Sequence, residues 1–229
     1  MSELADLQDT LNIVFKNPSL LKKALVHRSY LHENPDFDLP SNERLEFLGD
    51  SLLSFVIAQK LYEDFPNLSE GGMTKLRAAL VRTETLARLA RSLGLGNYLY
   101  LGRGEETSGG RTKQSILAGV FEAVIGAILI DHGYDACRNF ILRLFTDEIG
   151  KAADERLIAD HKSQLQEITQ AKHHTAPIYR TIKEDGPDHA KKFTIEVIVD
   201  GRIIATGRGK SKRQAETEAA RTALESMDQ

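Results

Sequence analysis

Cysteine occurs once in this chain, as Cys137, and tryptophan does not occur at all. A lone cysteine excludes an internal disulfide and any zinc cage built on thiolates, and nothing beside Cys137 in sequence marks it as a nucleophile. Its expected role is packing. The opening residues, MSELADLQDT, lack the basic stretch and apolar run of a secretory leader. No apolar run is expected to reach the ~18 residues that span a bilayer, so the reading is a soluble, cytoplasmic protein. An excess of positive charge is also missing. The formal net charge is −3 and neither half of the chain is basic overall. A nucleic-acid partner would have to be met by a local cluster, and RGKSKR, Arg208 to Arg213, is one.

The 229 residues suit two domains, each able to bury a core. Residues 1–150 carry helical periodicity punctuated by Pro18, Pro35, Pro40, Pro66 and paired glycines, which predicts an all-α domain. The polar stretch 151–159 suits a linker or a loose helix end. From 160 to 229 the period changes. SQLQEITQAK reads as a short helix, and PIYRTIKED, KKFTIEVIVD and RIIATGRG alternate as strands between the turn signals DGPDH and Asp200-Gly201. An alanine-rich helix, SKRQAETEAARTALESM, closes an α-β-β-β-α domain.

Chemistry enters with NERLEFLGDSLLSFVIAQKLY, Asn42 to Tyr62. On a helix, Glu43, Glu46 and Asp50 fall within about 60° of one another, on a segment otherwise apolar nearly all round and therefore expected to be buried. Their i+4 neighbours are Phe47, Asp50 and Ser54, so no base offsets them along the helix. Two readings remain: a cation site for Mg²⁺ or Mn²⁺, or a structural cluster bridged by Arg44. A second helix, SILAGVFEAVIGAILI, is uncharged from Ser115 to Ile130 except for Glu122. Ser115, Gly119, Glu122 and Gly126 share a strip whose small residues would admit another helix. If that neighbour is the Glu43 helix, Glu46, Asp50 and Glu122 meet; otherwise Glu122 pairs with an arginine from elsewhere. The preceding loop, LGRGEETSGGRTKQ, lacks the Gly-Lys-Ser/Thr ending of a P-loop. It reads as a flexible surface loop whose Arg111 and Lys113 are within reach of a phosphate backbone.

NERLEFLGDSLL and LGRGEETSGGRTKQSILAGVFEAVIGAIL closely resemble the two conserved blocks of bacterial ribonuclease III, and the C-terminal segment resembles a double-stranded-RNA-binding domain. The resemblance implies a homodimeric endonuclease that cuts double-stranded RNA with Mg²⁺, or Mn²⁺ as substitute. The products implied are 5′-phosphate and 3′-hydroxyl ends with short 3′ overhangs, and the substrates ribosomal RNA precursors and structured messages. It assigns metal binding to Glu46, Asp50 and Glu122, catalysis to Asp50 and Glu122, and a place near substrate to Glu43 and Glu70. One position departs from the family pattern: Gly119 stands where an aspartate ligand is expected, three residues before Glu122. The alternative function is therefore duplex-RNA binding with impaired or no cleavage.

Duplex RNA is read by shape, through minor-groove hydroxyls and the phosphates between successive grooves. By the same resemblance, Gln164 and Glu167 meet one minor groove and His189 the next. Lys210, Lys212 and Arg213, at the start of the last helix, then face the intervening phosphates, where a helix N-terminus also favours anions.

Overall fold

A computed structural model describes residues 3–66, 68–187 and 191–227, the side chains of residues 3, 152–160 and 173 excepted. Its contacts divide the chain into two units, 1–150 and 151–229. The first unit is helical: α1 (Glu3–Leu11), α2 (Pro18–Ala24), α3 (Arg28–Glu33), α4 (Glu43–Asp64), α5 (Glu70–Leu80), α6 (Thr83–Ser92), α7 (Arg103–Thr107) and α8 (Gln114–His132). The long α9 (Tyr134–His173) follows, then β1 (Ile178–Asp185), β2 (Lys192–Val199), β3 (Arg202–Gly209) and α10 (Lys212–Met227).

Capping residues set several helix starts. Asn17 accepts the Ser19 N–H ahead of α2, and Pro18 opens that helix with its fixed φ. His27 accepts the Ser29 N–H ahead of α3 and so splits SLLKKALVHRSYL into two helices. Ser69 does the same for α5 by accepting the Gly72 N–H. Around His27 the chain is tied across the fold, because Tyr100 donates its N–H to Leu25 and accepts that of His27. The Asn42 N–H, bonded to the Val26 carbonyl, then holds the start of α3 beside the start of α4.

At the centre of the first unit α8 packs against α4. Two glycines set how closely they approach. A Cβ on Gly49 would lie 1.8 Å from the Glu122 carbonyl oxygen, and one on Gly126 would lie 2.3 Å from that of Leu45. The two backbones therefore touch where any larger residue would part them. Around the crossing, Leu45, Leu53, Val56, Ile57 and Leu61 of α4 are buried, each worth about 1.5–3 kcal/mol in removed apolar surface. Burial is not all round, contrary to expectation. Phe47, Phe55 and Tyr62 are 77%, 57% and 74% exposed and leave an aromatic face open along α4.

The helix α8 corrects a second expectation. Its 19 residues are long and apolar enough to cross a membrane by length and composition. Most of it is buried inside the protein, from Ile116 to Ile128, which is the setting of a core helix.

In the second unit the strands form one antiparallel sheet in the order β1-β2-β3. Asp200 and Gly201 take φ values of 50° and 74°, the paired left-handed geometry of a two-residue type I′ hairpin joining β2 to β3. Ile195, Val197 and Val199 alternate toward the helices, where Leu165 of α9 and Ala219, Ala220 and Ala223 of α10 complete a small core. Alanines allow α10 to lie close on the strands.

Candidate active site and nucleic-acid surface

Backbone placement comes first in building the acidic site. Asn42 is buried; its N–H donates to Val26 and its side-chain amide to Ala24, which anchors the start of α4. Glu43 and Glu46 then occupy the first turn, where the helix dipole favours negative charge. One turn on, Asp50 joins them on the same strip. Opposite lie Gly119 and Glu122 of α8, and together these residues line a cavity of about 530 Å³ whose rim includes His27, Arg28 and Phe47. The acidic strip of α4 meets the small-residue strip of α8 that carries Glu122.

The electrostatics follow from that geometry. Burial, and then the neighbouring Asp50 and Glu46, push the Glu122 carboxyl up to about 8. Burial together with Glu43 and Asp50 also raises Glu46, against a smaller opposing effect of Arg28. Among the described residues no base pairs with Glu122, so the arginine-paired reading fails. The cation at the site is Arg28, 3.7 Å from Glu43, rather than Arg44, which is exposed. Ser41 also donates to Glu43 at 2.8 Å.

At Gly119 the space is taken. A Cβ there would sit 2.8 Å from Oε2 and 3.0 Å from Oε1 of Glu46, so Glu46 covers the position from which another side chain would project. Among the described residues no three His, Cys, Asp or Glu side chains converge tightly enough to grip a bare ion. Three half-converged carboxylates that repel one another nevertheless suit a cation that retains water.

Glu70 is not brought to this cavity. It is the first residue of α5, exposed, and accepts the Thr74 hydroxyl at 2.9 Å. The glycine-rich loop is also more ordered than expected. It holds α7 and a short 3₁₀ turn, Gly110–Thr112. Arg111 pairs with Glu106 at 2.7 Å and donates to the Gly96 and Leu99 carbonyls, while Lys113 pairs with Glu105 at 3.1 Å. Both bases are engaged in building the loop. His27 and Arg28 are the residues that sequence reasoning missed; they reach the cavity because Asn42, at the start of α4, bonds the Ala24 and Val26 carbonyls just before them, a tertiary contact that no spacing announces.

In the second unit Ser211 accepts the Gln214 N–H to start α10. Lys212 bonds Glu184 at 2.8 Å and lies over the Phe193 ring at 5.7 Å. That contact holds the Glu184 carboxyl below its usual range. Lys210 and Arg213 extend without a carboxylate partner among the described residues. Gln164 is half-buried and Glu167 exposed on α9, and His189 lies outside the described residues.

Comparison with known proteins gives the same division. A ribonuclease-III-like family model matches residues 17–149, and a double-stranded RNA binding motif matches 161–227. Ribonuclease 3 of Dehalococcoides mccartyi (strain CBDB1) is 46% identical over 228 residues, covering 100% of this chain and 96% of the relative. That of Pseudothermotoga lettingae is 44% identical, covering 98% and 95%. Among solved structures, the nuclease domain of ribonuclease III from Campylobacter jejuni aligns with a TM-score of 0.59 at 39% identity, covering 63% of this chain and 97% of that one. With the ribonuclease-III-like and RNA-binding models matched in turn and relatives aligned over nearly the whole chain, the chain belongs to the ribonuclease III family.

Proposed function

We propose that this chain, a double-strand-specific endoribonuclease, cuts RNA at the cavity between α4 and α8, with Glu46, Asp50 and Glu122 holding a divalent cation, Mg²⁺ or in its place Mn²⁺. Glu122 is the observation that carries the reading. It is a carboxyl in a core helix, pushed up to about 8 by burial and two facing acids, with no base to neutralise it among the described residues. When bound, the ion would supply an activated water and stabilise the departing oxygen. Asp50 and Glu122 are the carboxylates at the reacting phosphate. Arg28 and Ser41 keep Glu43 turned toward the rim, near substrate, and Glu70 acts on substrate from outside the cavity. Hydrolysis breaks the P–O3′ bond and leaves a 5′-phosphate and a 3′-hydroxyl.

The open aromatic face of α4 supports a homodimer, since Phe47, Phe55 and Tyr62 lie exposed along one side of the helix where a second copy would cover them. Gln164, Glu167, His189, Lys210, Lys212 and Arg213 bind the duplex without reading its sequence. Precursor ribosomal RNA and structured messages in the cytoplasm are the fitting substrates. Binding without cleavage is not favoured, because relatives aligned end to end are named ribonuclease 3, and Glu46, Asp50 and Glu122 line one cavity.

The test is cleavage of an end-labelled RNA duplex in Mg²⁺ by the full chain and by Glu122→Gln. Cutting by the first alone, with 5′-phosphate products, is the expected result. Equal cutting by both removes the acidic cavity from the reaction, and binding without cutting by the unaltered chain reinstates the binding-only reading.

A further inference from the structure

Strand register orders the outer face of the sheet into rows. Lys183 pairs with Thr194, and Thr194 with Arg208; in the next row Asp185 pairs with Lys192. Toward the other end lie Arg180, Glu196 and Thr206, and then Ile178, Ile198 and Ile203. Because successive side chains alternate and Ile195 and Val197 bury against the helices, these rows occupy the face turned away from α9 and α10. The face is graded. Its middle is neutralised by an Arg180–Glu196 bridge of 2.8 Å, its far end is apolar, and its near end is basic.

At the basic end, Lys183, Lys192, Arg208 and Lys210 line a cavity of about 420 Å³ together with Thr194 and Gln214. Gln214 accepts the Lys210 N–H through Oε1 at 2.9 Å, which leaves its amide nitrogen and the Thr194 hydroxyl as further donors. One acid, Asp185, is present and already bonded to Lys183 at 2.9 Å. Asp185, opposite Lys192 in register, also feels its charge, but among the described residues no salt bridge joins a carboxylate to Lys192, Arg208 or Lys210. Elsewhere in the same unit Lys162, Arg180, Lys191, Lys212 and Arg221 each have one. In a chain of net charge −3, acids are plentiful, so the gathering of unpaired bases round one depression is not a by-product of composition.

We infer that the outer sheet face around Lys192 and Arg208 is a further phosphate-binding surface, continuous through Lys210 with the start of α10 and taking the phosphodiester backbone of RNA. The inference rests on the reading that the module binds duplex RNA. It widens the footprint and adds no sequence preference, since phosphate contacts position a nucleic acid without reading bases.

The experiment is a salt titration of duplex-RNA binding by the full chain in chelator, followed by fluorescence anisotropy. Each phosphate contact removed lowers the slope of log affinity against log salt by about 0.7–0.9. Lys192→Gln/Arg208→Gln is therefore expected to lose about 1.4–1.8 from the slope. The charge-preserving Lys192→Arg/Arg208→Lys keeps the original slope, which separates charge from a folding defect. An unchanged slope in the Gln pair overturns the inference, and so does a loss that the charge-preserving pair shares. Lys212→Gln/Arg213→Gln tells the two failures apart. If that pair does lose slope, only the sheet surface is wrong; if it does not, the duplex-binding reading of α10 falls as well.

Discussion

The two units place charge in opposite settings. In the helical unit the decisive charges are acids round one cavity, of which Glu46 and Glu122 are half-buried and raised by that burial and by their acidic neighbours. In the α-β-β-β-α unit they are bases on an exposed sheet and helix end, where water screens them and their cost is small. Buried charge is expensive, so it is rare, tied to stability and informative. Exposed charge is cheap, so it is common and carries meaning only through its arrangement. The acidic cavity should therefore govern chemistry and stability together, and the basic surfaces should govern affinity alone.

The sharpest separation comes from Glu122→Gln. Cleavage in Mg²⁺ should fall roughly a hundredfold or more, as expected when a reacting group is misplaced, while duplex affinity in chelator stays within about twofold because no phosphate contact is lost. A parallel loss of binding would erase the distinction between the units. The next largest effect is expected at Gly119. Gly119→Asp adds a carboxylate one turn from Glu122, and its Cβ must displace the flexible end of Glu46, now 2.8 Å away. Divalent-ion affinity measured by calorimetry should rise about tenfold, the scale on which partners of a metal site act, and cleavage should rise with it. Unchanged affinity would mean that Glu46 already fills the role the added acid would take. A smaller change is expected from Lys212→Gln/Arg213→Gln, which should weaken duplex binding and lower its salt slope by about 1.4–1.8. The cleavage rate at saturating RNA should not move. Lys212 must leave Glu184 to reach a phosphate, so its share is the smaller of the two.

The same contrast explains what could be read from sequence. Glu122 stood out because one acid among apolar residues has few explanations, and Gly126 beside it announced the close helix partner. The three strands and the Asp200-Gly201 turn were legible because period two and paired left-handed residues are local signals. Phe47 and Phe55 were not, since an apolar side chain reads the same whether it faces a core or a partner. Arg111 and Lys113 looked like phosphate ligands until Glu106 and Glu105 were found to hold them. His27 and Arg28 reach the cavity through the bonds of Asn42 to Ala24 and Val26, a tertiary contact with no trace in spacing. The break between α5 and α6 follows from extended geometry at Arg82 and the Thr85 hydroxyl turning back to Ala79.

The smallest predicted effect tests whether buried acid is truly coupled to stability. With its carboxyl raised from an ordinary 4.5 to about 8, folded Glu122 keeps a proton that the unfolded chain has released. Below about 4.5 both states hold the proton and pH has no leverage. Between about 4.5 and 8 the folded state binds more protons, so stability declines as pH rises, and above about 8 the decline is complete. In chelator the melting temperature should therefore drop across this window, by about 2–4 °C for each kcal/mol at this chain length. Glu122→Gln should flatten the drop, leaving the smaller part that belongs to Glu46, which shifts in the same direction. Mg²⁺ added above the window should restore the unaltered chain more than the variant, because only the former has Glu122's negative charge to neutralise. Parallel curves in chelator would show that the cavity stays wet enough to ionise Glu122 freely, and the acids would then be as cheap as the bases of the sheet.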